Sequence, residues 1–210
     1  VRLPDSFWCY RTPPDAPPVN NLPALQQRHV TFGSFNNFVK INHDVIAVWS
    51  RLLSAVPDSR LIMVGAPAGT AANALRAQFE QAGVTPERLE LLNKVSHDEF
   101  WRLHHRVDIA LDPFPYTGGV TTCETLWMGV PVITLAGHGG FSGSGNSLLS
   151  NLGLPEMIAH SPEEYVARAA WLARDLGRLS ELRAGMRERI GKSPLTDAAG
   201  VTRHLEAAYR

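Results

Sequence analysis

The residues best suited to chemistry lie in one run, DPFPYTGGVTTCETLWMGVPVIT, from Asp112 to Thr134. Gly118, Gly119, Thr121 and Thr122 make a Gly/Thr turn directly ahead of a helical stretch. The first turn of a helix offers N–H groups without intrahelical partners, at the positive end of the helix dipole. With hydroxyls beside it, such a turn is a seat for phosphate. Glu124, read as lying in the first turn of that helix, supplies a carboxylate that can take the two hydroxyls of a ribose. An acid there is also plain helix electrostatics, and one side chain can serve both ends. The combination points to a nucleoside-diphosphate site, with a nucleotide sugar as the leading ligand.

Other chemistry is weakly represented. His97, His104, His105 and His138 show no zinc spacing with a thiol or carboxylate, and they read as surface histidines. Ser142-Gly143-Ser144-Gly145 does not follow a strand directly and is no nucleophile elbow. Cys123 sits where a helix terminus lowers a thiol's pKa, but no base accompanies it, so it reads as a half-buried packing residue. Leu126, Trp127 and Met128 read as core. Arg174, Arg178, Arg183, Arg187 and Arg189, balanced by nearby acids, read as a solvated helix face. No Gly-x-Gly-x-x-Gly follows the first strand, which argues against a dinucleotide dehydrogenase.

The elements that must position the turn follow from periodicity. Residues 30–35, 60–65, 88–92, 107–112 and 132–135 read as strands, with 157–159 as an edge strand. Helices are expected over 44–56, 70–82, from a cap at Ser96 or Asp98 to His104, after the TGGVTT turn with Glu124 in the first turn, and over 147–152. Ser161-Pro162-Glu163-Glu164 opens a further helix, and two or three amphipathic helices close the chain. Alternating strands and helices predict an α/β fold, a Rossmann-like doubly wound parallel sheet with ligands at the carboxyl ends of its strands. The division expected is a proline-rich connector over 1–29, a sheet domain over 30–160 and C-terminal helices over 161–210 packing on it.

Composition suits an ordinary globular domain: 44% of residues are hydrophobic and 19% charged. Lys plus Arg and Asp plus Glu each number 20, so no charge excess argues for nucleic acid or an anionic membrane. Two distant cysteines, with no signal peptide and no membrane-length apolar run, suggest a reduced, cytoplasmic setting. The chain opens on Val1, which reads as an excised part of something longer.

FGSFNNFVKI (32–41), DPFPYTGGVTTCETLWMGVP (112–131) and SLLSNLGLPEMIA (147–159) together resemble the O-GlcNAc transferase and SPINDLY family of protein O-glycosyltransferases. RLPDSFWCYRTP (2–13) and SPLTDAAG (193–200) extend the likeness along the chain. The resemblance implies the second, nucleotide-sugar-binding lobe of a two-lobed (GT-B type) fold, without the tetratricopeptide repeats and first lobe. It implies an inverting, metal-independent transfer of GlcNAc from UDP-GlcNAc to Ser or Thr of proteins, with no cofactor. Lys40 matches the lysine that pairs with the donor diphosphate and helps it leave, and Asn37 an amide near that diphosphate. Asn37 suits a turn or cap as well. Gly118, Gly119, Thr121 and Thr122 match the phosphate turn and Glu124 the ribose acid. Base recognition falls to the loop 94–98, including Val95 and Ser96, mainly through backbone. There Asp98 and Trp101 hold the places of the family's basic and histidine side chains. Gly119, Val120 and Glu124 replace the His, Thr and Asp of O-GlcNAc transferases. With Pro115-Tyr116 and Thr122-Cys123-Glu124, these positions lean toward SPINDLY, whose plant members resemble protein O-fucosyltransferases using GDP-fucose. A lobe without activity, keeping the fold as a structural or nucleotide-binding partner, is the remaining reading.

Overall fold

The computed structural model describes residues 3–6, 8–137, 139 and 142–210. Six parallel strands form one sheet: β1 Thr31–Ser34, β2 Arg60–Val64, β3 Leu89–Leu92, β4 Ile109–Leu111, β5 Val132–Leu135 and β6 Ile158–Ala159. They are short apolar runs without polar alternation, as expected of strands covered on both faces. All three residues of β4 are buried, as are four of the five in β2. The spatial order is β3-β2-β1-β4-β5-β6, with β1 beside β4 in the register Phe32 to Ile109 and Gly33 to Ala110. The chain winds outward from β1 to β3, then returns to β4 and winds the other way. That reversal opens a crevice at the carboxyl ends of β1 and β4.

Helices cover the sheet: α1 Ala24–Gln27, α2 His43–Ala55, α3 Thr70–Gln81, α4 His97–His104, α5 Val120–Trp127, α6 Ser144–Asn151, α7 Pro162–Arg174, α8 Leu176–Gly191 and α9 Ala198–Tyr209. Apolar residues at helical spacing on α2 (Val45, Trp49, Leu52, Leu53) turn inward, and α2 packs on α7. The cap of α7 is as expected: Ser161 Oγ accepts from Glu164 N at 3.1 Å, and Pro162 takes the first helical position. α6 begins three residues before the expected 147. Its opening Ser144-Gly145 has weak helix propensity, so sequence pattern does not mark it. Among the described residues no helix is long and apolar enough to cross a membrane.

The proline-rich segment forms a strap along the surface, with α1 as a helical turn within it and its own Leu22 and Ala24 buried. Here the expected solvated arginine face is corrected. Arg183 is buried and donates to the carbonyls of Asn20, Val107 and His104. Arg187 donates to the carbonyls of Trp127 and Pro17. Further along, Tyr10 N donates to Leu195 O at 2.7 Å. Two arginines of α8 thus divide their fork of donors between backbone carbonyls of the strap and of the sheet domain, a task for which a lysine has too few fixed donors.

Candidate functional site

Two loops leave the crevice, one from β1 and one from β4, and a buried carboxylate joins them. After β1 come Phe35, Asn36 and Asn37. Asn37 Oδ1 accepts from Val39 N at 3.1 Å and so caps a 3-10 turn, Phe38–Lys40, while the residue itself stays exposed. That turn brings Lys40 back over the crevice. Its Nζ donates to Asn36 Oδ1 at 3.2 Å and to Thr117 O at 3.0 Å, and it lies 4.5 Å from the centre of the Tyr116 ring. Burial lowers the pKa of Lys40, and the negative charge of Asp112 opposes that shift.

Asp112, at the end of β4, is the centre of this arrangement and is 1% exposed. Its Oδ1 accepts from Thr122 Oγ1 at 3.0 Å, Gly118 N at 3.3 Å and Asn36 Nδ2 at 3.4 Å. Tyr165, buried on α7, fixes the same residue from below by donating to its carbonyl at 2.9 Å. Oδ2 faces Gly145 near the start of α6, where an added Cβ would stand only 2.7 Å away. The turn that opens α5 thus donates to this carboxylate, which helps a buried acid to be tolerated, while the start of α6 packs beside it with Gly145 N donating to Thr117 Oγ1 at 3.2 Å. Burial pushes the Asp112 carboxyl above the ordinary range; the Thr122 and Gly118 hydrogen bonds and the Lys40 charge pull the other way. Sequence reasoning passed over Asp112 because a lone acid after an apolar strand carries no local sign of its partners.

Beside this hub runs a cleft of about 630 Å³. Asn37, Val95, Ser96, Thr121 and Glu124 all line it, together with Asn36, His97 and Phe100. Lys40, Gly118, Gly119 and Thr122 gather around Asp112 at its end instead, reached through Asn36. Two expectations change here. Glu124 lies beyond the first turn of α5, because the helix begins at Val120. Its carboxyl is half-buried and raised by burial, with the His97 charge acting against the rise. Thr122 is turned inward onto Asp112 and its hydroxyl is spent there, which leaves Thr121 as the hydroxyl of the turn that faces the cleft.

The loop before α4 differs in detail. Ser96 is the N-cap, its hydroxyl accepting from Glu99 N at 3.2 Å, and Val95 packs against the core. His97 and Phe100, not Asp98 and Trp101, face the cleft. Trp101 is buried and its Nε1 donates to His97 Nε2 at 2.9 Å. The i, i+3 spacing of His97 and Phe100 from the Ser96 cap was a usable signal for this shared face. Phe35 and Phe100 meet edge to face at 5.6 Å, and His104 stacks on Phe35 at 3.7 Å. His104 is thus no surface histidine: it is fully buried, and burial pushes its pKa down to about 3. His138 lies outside the described residues. Cys123 is buried rather than half-buried, its thiol pushed up to about 12 by burial and by the charges of Glu124 and Asp112. Leu126 and Met128 are core, while Trp127 is partly exposed under Arg187. Among the described residues no group of three or more His, Cys, Asp and Glu side chains is placed to hold a metal ion.

Comparison with known proteins bears on this geometry. Residues 20–205 match the model of glycosyl transferase family 41. The probable UDP-N-acetylglucosamine–peptide N-acetylglucosaminyltransferase SPINDLY of Petunia hybrida is 46% identical over all of this chain. The chain spans 23% of that relative's length. A UDP-N-acetylglucosamine–peptide N-acetylglucosaminyltransferase of Caenorhabditis elegans is 30% identical over 74% of the chain, which covers 13% of it. Among solved structures, a variant of the Thermobaculum terrenum O-GlcNAc transferase superposes with a TM-score of 0.87 at 34% identity, over all of this chain and 40% of that one. WaaG, a glycosyltransferase of lipopolysaccharide biosynthesis, shares the fold at a TM-score of 0.63 and 16% identity, over 98% of this chain and 54% of its own. The six-stranded parallel sheet is accordingly that of a GT-B lobe, and the chain belongs to glycosyl transferase family 41.

Proposed function

We propose that this chain is the donor-binding lobe of an inverting protein O-glycosyltransferase that moves GlcNAc from UDP-GlcNAc to Ser or Thr. One observation carries the reading: the Lys40 ammonium and the opening turn of α5 are anchored to the same buried carboxylate, at the end of a cleft that also holds Glu124. In this reading the uracil lies by Val95, Ser96, His97 and Phe100, the ribose hydroxyls meet Glu124, and the diphosphate meets Lys40, Asn37, Thr121 and the N–H group of Gly119, while Gly118 shapes the turn through its bond to Asp112. The acceptor oxygen attacks the anomeric carbon as its bond to the β-phosphate oxygen breaks. Charge collects on the departing diphosphate, where a fixed ammonium and helix N–H groups need no reorganisation to receive it. Those groups supply the neutralisation a metal would otherwise give, so the transfer is metal-independent in this proposal. The acceptor protein, and the group that takes its proton, are assigned to segments of the longer protein outside these 210 residues. We assign the activity to the cytoplasm, in keeping with the free thiols of Cys9 and Cys123.

The test is calorimetric titration of the chain with UDP, UDP-GlcNAc, GDP and GDP-fucose. Binding of the uridine pair, lost in Glu124→Ala, supports the reading. Binding of the guanosine pair instead makes the enzyme a fucosyltransferase. No binding of any of the four by folded protein overturns donor binding by this lobe.

A further inference from the structure

Gly119, the N-cap of α5, has no space for a side chain. It gives up the side-chain oxygen that would cap the helix. One reason is Trp8. A Cβ on Gly119 would stand 2.8 Å from Cζ2 of the Trp8 indole and closer still to Cη2. The indole is held in that attitude from two sides. Its Nε1 donates to Ser144 Oγ at 3.0 Å, at the start of α6, and the Trp8 backbone N–H donates to Ser6 Oγ at 2.9 Å. Trp8 packs against the core and is only partly buried, so part of its surface remains beside the opening of α5.

We propose that Trp8 is a specificity-determining residue, the wall of the donor's sugar subsite, and that Gly119 is kept small to seat it. This rests on the donor reading above. Glu124, Thr121 and the loop before α4 line the cleft, and Gly118 and Gly119 lie outside that lining, between Thr117, which Lys40 holds, and the first residue of α5. A nucleotide sugar laid with its base by the loop before α4 brings its terminal phosphate to the α5 turn. The sugar, one bond further on, then meets what covers that turn, and the indole covers Gly119. Aromatic faces suit the apolar C–H face of a pyranose, while the ring edge stays free of charge. An indole fixed by hydrogen bonds before the ligand arrives spares the cost of ordering it afterwards. Trp8 would therefore read the sugar and leave the nucleotide nearly untouched.

The experiment titrates wild type, Trp8→Ala, Trp8→Phe, Gly119→Ala and the Trp8→Ala/Gly119→Ala double variant with UDP and UDP-GlcNAc, or with GDP and GDP-fucose if wild type takes that pair. Thermal unfolding of each variant checks the fold. We expect Trp8→Ala to weaken the sugar-bearing ligand about tenfold and the bare nucleotide less than about threefold. Trp8→Phe retains most of the affinity and covers the case in which the alanine variant does not fold. Gly119→Ala should cost sugar-nucleotide affinity in wild type and little in the Trp8→Ala background, because the clash is gone. Equal factors for both ligands in Trp8→Ala, or no change in either, overturn the role of Trp8 while the donor reading stands. Failure of wild type to bind any of the four overturns both.

Discussion

Lys40 and Asp112 form a unit that neither could form alone. The ammonium reaches the carboxylate through Asn36, and the carboxylate in turn fixes the amide of Gly118. Losing Lys40 removes a charge-assisted contact to the diphosphate, so Lys40→Ala should weaken UDP by about 10- to 100-fold. Unfolding in urea should change little, since the side chain is partly exposed. The pH response follows from the same pair. UDP affinity should fall as pH rises and Lys40 loses its proton, beginning below the ordinary lysine range because burial lowers its pKa. Asp112 raises the Lys40 value, so in Asp112→Asn the fall should shift to lower pH. Titrations from neutral to alkaline pH check this. An unmoved midpoint would reduce Asp112 to a scaffold role.

Elements made themselves known in sequence where their residues repeat on a short period. The strands at 60–64 and 132–135 and the helix capped by Ser161 are local patterns, legible without any partner. Ser161→Ala should cost about 1 kcal/mol, read from the urea midpoint. Of the site, the Gly/Thr turn and Glu124 were legible because turn and helix chemistry are local. Asp112, Phe100 and the inward set of Thr122 were not, because their roles come from loops brought together across the switch point between β1 and β4. His104 on α4 escaped for the same reason: stacking on Phe35 is a contact across the fold. Its ring makes a sharp pH prediction. Nδ1 must donate to Phe100 O at 2.8 Å, since a carbonyl can only accept, while Nε2 lies 3.2 Å from the Thr125 hydroxyl, which donates to Thr121 O. A folded pKa near 3 against about 6.5 unfolded means the unfolded chain takes the proton first. Stability is therefore unaffected above about pH 6.5. It then declines by up to ~1.4 kcal/mol per pH unit on acidification toward 3. Urea unfolding of wild type and His104→Phe across that window measures it; the slope should be shallower in the variant.

At the scale of the whole molecule, the strap and the last helices hold one another. Arg183→Met would take a donor from the buried carbonyls of Val107 and His104 and from the partly buried carbonyl of Asn20, and should destabilise the fold by about 3 kcal/mol. Limited proteolysis should then cut within 11–21 sooner than in wild type. The arrangement also sets a chronology. As a chain lengthens from its N-terminus, the sheet strands and the α5 turn are present well before Arg183, Arg187 and Leu195, three of the residues that bind the strap. Tyr10 precedes every strand of the sheet yet meets its Leu195 anchor only after all of them. A growing chain would thus carry the phosphate turn through the synthesis of α6 to α8 before that anchor of the strap is in place.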